Sequence, residues 1–143
     1  MDELYSKVKE QFALEEVNPN ELAPLILAHI GDAIYEVVIR TIVLSDGNRA
    51  MDKVHKAATH LVNAKTQAEL ADILLPKMTE EEASVYKRGR NAKSGSSAKN
   101  ASIGDYRKAT GFEALMGYLY LKDDVDRMLE IIKEGLNERN AKE

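Results

Sequence analysis

Cysteine is absent from the 143 residues of this chain. Its absence excludes disulfides, thiolate-bound metals and cysteine nucleophiles. Segments with the alternating pattern and turn residues of a β-sheet are also missing, whereas helical periodicity recurs along the whole sequence. We therefore predict an all-α fold, and the length suits a single domain over residues 1–143.

The chain also lacks the apolar core of a signal peptide, because its first residues, MDELYSKVKEQF, are amphipathic and partly acidic. The longest apolar segment, Pro24–Leu44, carries Asp32, Glu36 and Arg40 near its middle. Charged side chains at that depth are unfavourable in a bilayer. We expect a cytoplasmic protein with no membrane insertion.

Acidic residues are missing from residues 83–104, although the chain as a whole has a net charge of −4. The negative total argues against general nucleic-acid binding. Residues 83–104 nevertheless carry a set of cations, namely Lys87, Arg88, Arg90, Lys93 and Lys99. Such a run at a helix end, continuing into a loop of Gly and Ser, is either simply solvated or contacts phosphates.

Start and stop signals divide the chain into helices. Thr79 and Glu82 have the spacing of a capping box, Ser102 is a second cap, and a break is expected near Asn63. The predicted helices are residues 2–14, 24–44, 49–75 with that break, 80–93, 103–121 and a last one from residue 125.

Two of these helices each contain a carboxylate among apolar residues. Pro24–Leu44 is apolar nearly all round, which indicates a buried helix, and it contains Asp32. Residues 109–121, ATGFEALMGYLYL, contain Glu113 as their only charged side chain. Carboxylates that project inward from facing helices form divalent-metal sites in helical proteins, and such oxygen ligands suit Mg²⁺ or Mn²⁺.

Ion pairs are the other explanation for these acidic residues. Arg40 lies one turn after Glu36 and would neutralise it, so we interpret Glu36 as structural. His29 lies one turn before Asp32, and Asp32 either pairs with it or binds a metal. We leave His29 without an assigned role, since packed histidines are more common than histidine ligands.

Two motifs, HIGDA at residues 29–33 and FEAL at residues 112–115, resemble the paired signature segments of ribonuclease III catalytic domains. Further similarity lies in RGRNAKSG at 88–95, Tyr106-Arg107, HKAA at 55–58 and AKTQA at 64–68. Together these motifs resemble Mini-ribonuclease III, the short bacterial branch that has a catalytic domain and no separate double-stranded-RNA-binding domain. The resemblance covers about residues 22–135.

The resemblance implies an all-α endoribonuclease that acts as a homodimer with one active centre per subunit. It implies that Asp32 and Glu113 are catalytic and bind Mg²⁺, with Mn²⁺ as an alternative, and that cleavage of double-stranded RNA leaves a 5′-phosphate and a 3′-hydroxyl. The implied substrate is the stem formed by the ends of precursor 23S ribosomal RNA, with a ribosomal protein as a further candidate partner. In the absence of an RNA-binding domain, we assign RNA binding to Lys87, Arg88, Arg90, Lys93 and Lys99.

The chain differs from full-length ribonuclease III at three acidic positions. Glutamates normally precede the signature aspartate by seven and four residues, where this chain has Leu25 and Ala28. An aspartate normally lies three residues before the second signature glutamate, where this chain has Thr110. The short branch shows the same reduction, so the resemblance carries over one carboxylate pair and not a full two-metal scheme.

Two other functions are left open by the residues. A non-catalytic double-stranded-RNA-binding module of the same fold would bind duplexes without Mg²⁺ and would not cleave them. A helical metal-dependent phosphohydrolase would act on small nucleotides and would not need the basic residues of 83–104.

Overall fold

A computed structural model of the chain describes residues 2–92 and 102–142, which form seven α-helices, two 3₁₀-helices and no strand. The α-helices are α1 (Asp2–Gln11), α2 (Pro24–Leu44), α3 (Met51–Val62), α4 (Ala64–Leu74), α5 (Glu80–Asn91), α6 (Ile103–Leu121) and α7 (Val125–Lys142). The 3₁₀-helices are Pro19–Glu21 and Leu75–Lys77. The all-α prediction is confirmed.

The helix starts coincide with the caps expected from the sequence. The Thr79 hydroxyl accepts a hydrogen bond from the backbone N–H of Glu82 at 3.1 Å, and the Glu82 carboxylate accepts one from the N–H of Thr79 at 2.9 Å. Ser102 caps α6 in the same way, and Asn63 separates α3 from α4 by capping α4. These side chains satisfy N–H groups that the first helical turn leaves without a partner.

Helix α6 lies at the centre of the fold, with α2, α4, α5 and α7 packed around it. All of its residues from 109 to 120 are buried apart from Glu113, which is half-buried. Tyr35 of α2 packs edge-to-face on Phe112 of α6, with 5.2 Å between the ring centroids. A polar side chain on this helix is therefore held in a closely packed environment.

Helix α2 buries only one side, although it is apolar nearly all round. Its buried apolar residues are Leu27, Ala28, Ile34, Tyr35, Ile39 and Val43. Its exposed large apolar residues are Leu25, Ile26, Val37, Ile42 and Leu44. The prediction of a fully buried helix over Pro24–Leu44 is wrong, because the core of a single chain covers one side of it.

The polar side chains of α2 lie toward the solvent. His29, Asp32 and Arg40 are exposed, and Glu36 is half-buried. Arg40 donates to Glu36 at 3.0 Å, which is the ion pair expected from their spacing. Within residues 2–92 and 102–142, no helix is long and apolar enough to cross a membrane.

Helices α2 and α6 cross with their backbones in contact. A Cβ atom added to Gly31 would lie 1.7 Å from the carbonyl oxygen of Glu113, and one added to Gly117 would lie 2.0 Å from the carbonyl oxygen of Leu27. These spaces hold no side chain, so both positions need glycine. The crossing fixes the separation of the residues beside it, Asp32 and Glu113.

Candidate active site

Asp32 and Glu113 meet where α2 crosses α6. Asp32 is exposed, and Glu113 is half-buried among the apolar residues of α6. Their carboxyl groups are close enough to hydrogen-bond to each other. The structure thus brings together, at the boundary between the core and the solvent, the two carboxylates that the sequence singles out.

The surroundings of Glu113 disfavour its charged form. Burial is the main cause and the nearby Asp32 carboxylate the second, and together they raise the pKa of Glu113 to about 8. Glu36 acts in the same direction, and a hydrogen bond from Gln67 opposes the shift. Two adjacent carboxylates in such a setting attract a compensating cation.

The protein supplies no such cation within the part of the chain that the structure describes. His29 is exposed one turn before Asp32 and forms no ion pair with it there. Arg40 is paired with Glu36. Asp32 therefore contacts Glu113 and does not pair with His29, which leaves metal binding as the explanation to be tested.

The donor set fits a hard divalent cation. Asp32 and Glu113 provide carboxylate oxygens, whereas the Gln67 amide presents to Glu113 its Nε2, which is a hydrogen-bond donor and not a metal ligand. Oxygen donors of this kind suit Mg²⁺ and Mn²⁺. A group of three or more His, Asp or Glu side chains able to hold a metal is not found in residues 2–92 and 102–142. The residues that would hold a cation are thus Asp32 and Glu113.

The three positions at which acidic residues are replaced provide no further ligand. Leu25 is exposed and Ala28 is buried. The Thr110 hydroxyl donates to the carbonyl oxygen of Tyr106 at 3.0 Å, one turn back in α6. The three positions that are acidic in full-length ribonuclease III therefore add no carboxylate to the site of this chain.

Gln67 is a site neighbour that sequence reasoning missed. Its side-chain Nε2 donates to the carbonyl oxygen of Val62 at 2.8 Å and to Oε2 of Glu113 at 3.4 Å. In the sequence it is one residue of the AKTQA motif, with no assigned role. Its spacing from Leu70 and Leu74 places an amide on the apolar side of α4, and this signal could have identified it.

Side chains also fix the junction between α3 and α4 behind the site. The Tyr35 hydroxyl of α2 donates to the carbonyl oxygen of Leu61 at 2.7 Å, and the Thr66 hydroxyl donates to that of His60 at 2.7 Å. These carbonyls belong to the last turn of α3, which has no helical partner for them. The junction that carries Gln67 is therefore tied to α2.

Helix α5 carries part of the basic run and packs on α6. Lys87 and Arg88 are exposed, and the Arg90 guanidinium lies over the ring of Tyr86 at 5.6 Å from its centroid. Gly89 is buried against α6, where an added Cβ would lie 2.8 Å from Cβ of Ala114, the residue after Glu113. The other two predicted RNA contacts lie outside the described residues: Lys93 and Lys99.

Comparison with known proteins places this geometry in a family. The ribonuclease III domain matches residues 25–124. The Mini-ribonuclease 3 of Brevibacillus brevis is 51% identical over 118 residues, covering 82% of this chain and 88% of the relative. The Mini-ribonuclease 3 of Clostridium tetani is 45% identical over 129 residues, covering 90% of this chain and 84% of the relative.

The fold is also known from a solved structure. A crystallised protein from Fusobacterium nucleatum superposes with a TM-score of 0.76 at 28% sequence identity, covering 83% of this chain and 95% of that one. The sequence relatives and the solved structure each match more than four fifths of this chain. The chain therefore belongs to the ribonuclease III family, in its Mini-ribonuclease 3 branch, and is an endoribonuclease for double-stranded RNA.

Proposed function

We propose that Asp32 and Glu113 are the catalytic residues and that they hold a divalent cation, Mg²⁺ or Mn²⁺, for the cleavage of RNA. The observation that carries this proposal is the contact between the two carboxylates at the helix crossing. Binding a cation there would compensate the burial and like-charge repulsion that disfavour the charged form of Glu113. The family motifs of this chain contain no other carboxylate.

When bound, such a cation polarises a phosphoryl oxygen and lowers the pKa of the attacking water. The contribution of the chain is to hold the ligands: Glu113 is fixed within the packed surface of α6, and Asp32 faces the solvent from which RNA arrives. We propose hydrolysis that leaves a 5′-phosphate and a 3′-hydroxyl, as the family resemblance implies.

The basic run is proposed to hold the RNA through its phosphates. Lys87 and Arg88 are exposed and Arg90 lies half-buried over the Tyr86 ring, and none of the three forms an ion pair in the described part of the chain. Duplex RNA is recognised mainly by shape and by phosphate and 2′-hydroxyl contacts, which suits a cluster of cations on a helix that packs on α6. We include Lys93 and Lys99 in this role from their sequence positions.

A homodimer is proposed for the assembly. Each chain has one Asp32–Glu113 pair, whereas cutting both strands of a duplex requires two. Ile26, Val37 and Leu44 form an exposed apolar strip on α2, the helix that carries Asp32. Contact between two such strips would bury them and place both active centres near one duplex.

The natural substrate that we propose is the stem formed by the paired ends of precursor 23S ribosomal RNA, which would place the protein in the cytoplasm. A ribosomal protein bound to this RNA is the proposed assisting partner. Support comes from the similarity to the Mini-ribonuclease 3 branch. Cleavage of this stem should exceed that of an unrelated duplex of equal length, with and without bound ribosomal proteins.

The catalytic proposal is tested with Asp32→Asn and Glu113→Gln on duplex RNA in Mg²⁺. Changes in residues that only support metal ligands already cost about 10–100-fold, so we expect each ligand variant to lose at least about 100-fold in cleavage rate. Glu36→Gln is the matched control, since Glu36 pairs with Arg40 on the same helix, and it should lose at most a few-fold. Substantial cleavage by both ligand variants would overturn the mechanism.

RNA binding is tested with Arg88→Ala combined with Arg90→Ala. Loss of two phosphate contacts should weaken duplex binding and reduce the slope of log affinity against log salt by up to about 2. Lys53→Ala combined with Lys56→Ala removes two exposed cations from α3 and should leave the slope unchanged. Equal slopes for all three proteins would contradict the role of α5.

A further inference from the structure

We infer that Gln67 is a positioning residue, whose side-chain amide holds the Glu113 carboxylate in the orientation that binds the cation. The inference rests on the proposed role of Glu113 as a ligand. It goes beyond that role because it gives a function to a residue of α4 that neither binds the metal nor faces the RNA. Gln67 is only 2% exposed, so a direct contact with RNA is excluded.

Both N–H bonds of the Gln67 amide are used. One points to the carbonyl oxygen of Val62 at 2.8 Å, and the other to Oε2 of Glu113 at 3.4 Å. The second bond is long, as hydrogen bonds in active sites often are before the ligand is bound. The amide thus bridges the end of α3 and the carboxylate of α6.

The surroundings fix which way the amide points. In the opposite orientation, Oε1 would face the carbonyl oxygen of Val62, which only accepts hydrogen bonds, and the 2.8 Å bond to that carbonyl would be lost. The nitrogen must therefore lie on that side. This orientation does not depend on any group outside the protein.

The same orientation leaves Oε1 buried and without a partner in the described residues. Burying an acceptor with no donor costs free energy, and an apolar side chain of similar size would avoid the cost. Gln67 therefore does not fit a role limited to packing. What the amide adds over an apolar residue is a pair of donors, one of which reaches Glu113.

Side-chain hydrogen bonds hold the backbone that carries Gln67. Gln67 lies in the first turn of α4, directly after the cap at Asn63, and its neighbour Thr66 is bonded to the carbonyl oxygen of His60. A donor held in this way fixes the rotation of the Glu113 carboxylate. Groups that orient metal ligands typically change metal affinity or activity by about 10–100-fold when removed.

The test compares Gln67→Met with Thr66→Val. Methionine keeps the length and burial of the side chain but has no N–H donor. Thr66→Val removes an equally buried bond to the same end of α3 without touching a carboxylate, and is therefore the matched control. We measure Mn²⁺ affinity by calorimetry on RNA-free protein, kcat and KM on duplex RNA, and the midpoint of thermal unfolding.

We expect Gln67→Met to weaken Mn²⁺ binding by about tenfold or more and to lower kcat at a fixed metal concentration, with KM for RNA unchanged. Thr66→Val should lower the unfolding midpoint and leave Mn²⁺ affinity unchanged. Wild-type Mn²⁺ affinity in Gln67→Met would overturn the inference. So would an equal loss of affinity in Thr66→Val, because the effect would then be structural.

Glu113→Gln separates this inference from the proposed function. If Glu113→Gln keeps wild-type Mn²⁺ affinity, the ligand role itself is wrong. If Glu113→Gln loses affinity and Gln67→Met does not, only the role of Gln67 fails.

A second measurement covers the case in which Gln67→Met does not fold. The side-chain amide NMR signal of Gln67 in the wild-type protein should shift during Mg²⁺ titration and should also shift in Glu113→Gln. The same signal should stay in place in Thr66→Val. A Gln67 signal that responds neither to Mg²⁺ nor to Glu113→Gln would refute the inference.

Discussion

Helix α6 buries its residues on nearly every side, whereas helix α2 buries one side and exposes an apolar strip on the other. Each helix supplies one carboxylate at their crossing, so the two carboxylates have different surroundings. Glu113 is held in a packed environment that disfavours its charge, while Asp32 faces water. In the proposed role of both residues as metal ligands, Glu113 would be the ligand fixed by packing and Asp32 the one that solvent and RNA can reach.

The glycine crossing gives the largest expected effect. Gly31→Ala or Gly117→Ala would push a methyl group into backbone atoms that no rotamer change can move. We expect a loss of about 3 kcal/mol or more in the free energy of unfolding, measured by denaturant titration. Gly104→Ala is the control, because its Cβ would meet only Ser102 Oγ at 3.9 Å. A small effect at Gly31 would mean that the helices do not touch as described.

The next test compares a buried with an exposed apolar residue on the two helices. Leu115→Ala removes a fully buried side chain from α6 and should cost about 2–5 kcal/mol in the free energy of unfolding. Ile26 lies on α2 with its side chain 55% exposed. Ile26→Ala should therefore change the free energy of unfolding of a single subunit by at most about 0.5 kcal/mol.

The proposed homodimer predicts a second difference between Leu115→Ala and Ile26→Ala. If the α2 strip is an interface, Ile26→Ala should also weaken association, which analytical ultracentrifugation over a range of concentrations would measure. Leu115→Ala should not act through association at concentrations where the protein is folded. Unchanged association in Ile26→Ala would argue against this strip as the contact between subunits.

A smaller effect is expected from pH. The pKa of Glu113 in the folded, metal-free protein is about 8, above its ordinary value of 4.5, so between these values the folded state binds more protons than the unfolded state. Stability should therefore fall as pH rises toward 8 and then level off. In chelator, we expect the unfolding midpoint of the wild-type protein to fall between pH 5.5 and 8.5 by several degrees more than that of Glu113→Gln.

The two carboxylates should respond differently in that experiment. Asp32→Asn removes the neighbouring charge, so the pH dependence should become shallower without disappearing, because burial is the larger cause of the shift. A divalent cation should also reduce the dependence in the wild-type protein. Identical pH profiles for the wild-type protein and Glu113→Gln would show that Glu113 does not titrate in this range.

The sequence predicted those features that depend on neighbouring residues. The caps at Thr79, Ser102 and Asn63 each use a side chain within three residues of its partner, so they are visible in the sequence. The pairing of Glu36 with Arg40 follows from helical spacing in the same way. The family motifs added the pairing of Asp32 with Glu113, which no local pattern contains.

Features that depend on distant contacts were missed or predicted wrongly. The exposed strip of α2 was predicted to be buried, since the apolar pattern does not tell a core from an interface. Gln67 meets Glu113 across 46 positions of the chain, and this contact exists only after α4 packs on α6. The requirement for glycine at Gly31 and Gly117 likewise follows from the crossing and not from local sequence.

The backbone contact at Gly31 and Gly117 has a consequence for the choice of ion. Because the main chains of α2 and α6 touch there, the distance between the attachment points of Asp32 and Glu113 is set by the backbone. Mg²⁺ needs oxygen atoms at about 2.0–2.1 Å, whereas Ca²⁺ accepts about 2.3–2.6 Å. The preference of the site for Mg²⁺ over Ca²⁺ would then depend on the two glycines at the crossing. Substitutions that widen the helix crossing would shift this preference toward the larger ion.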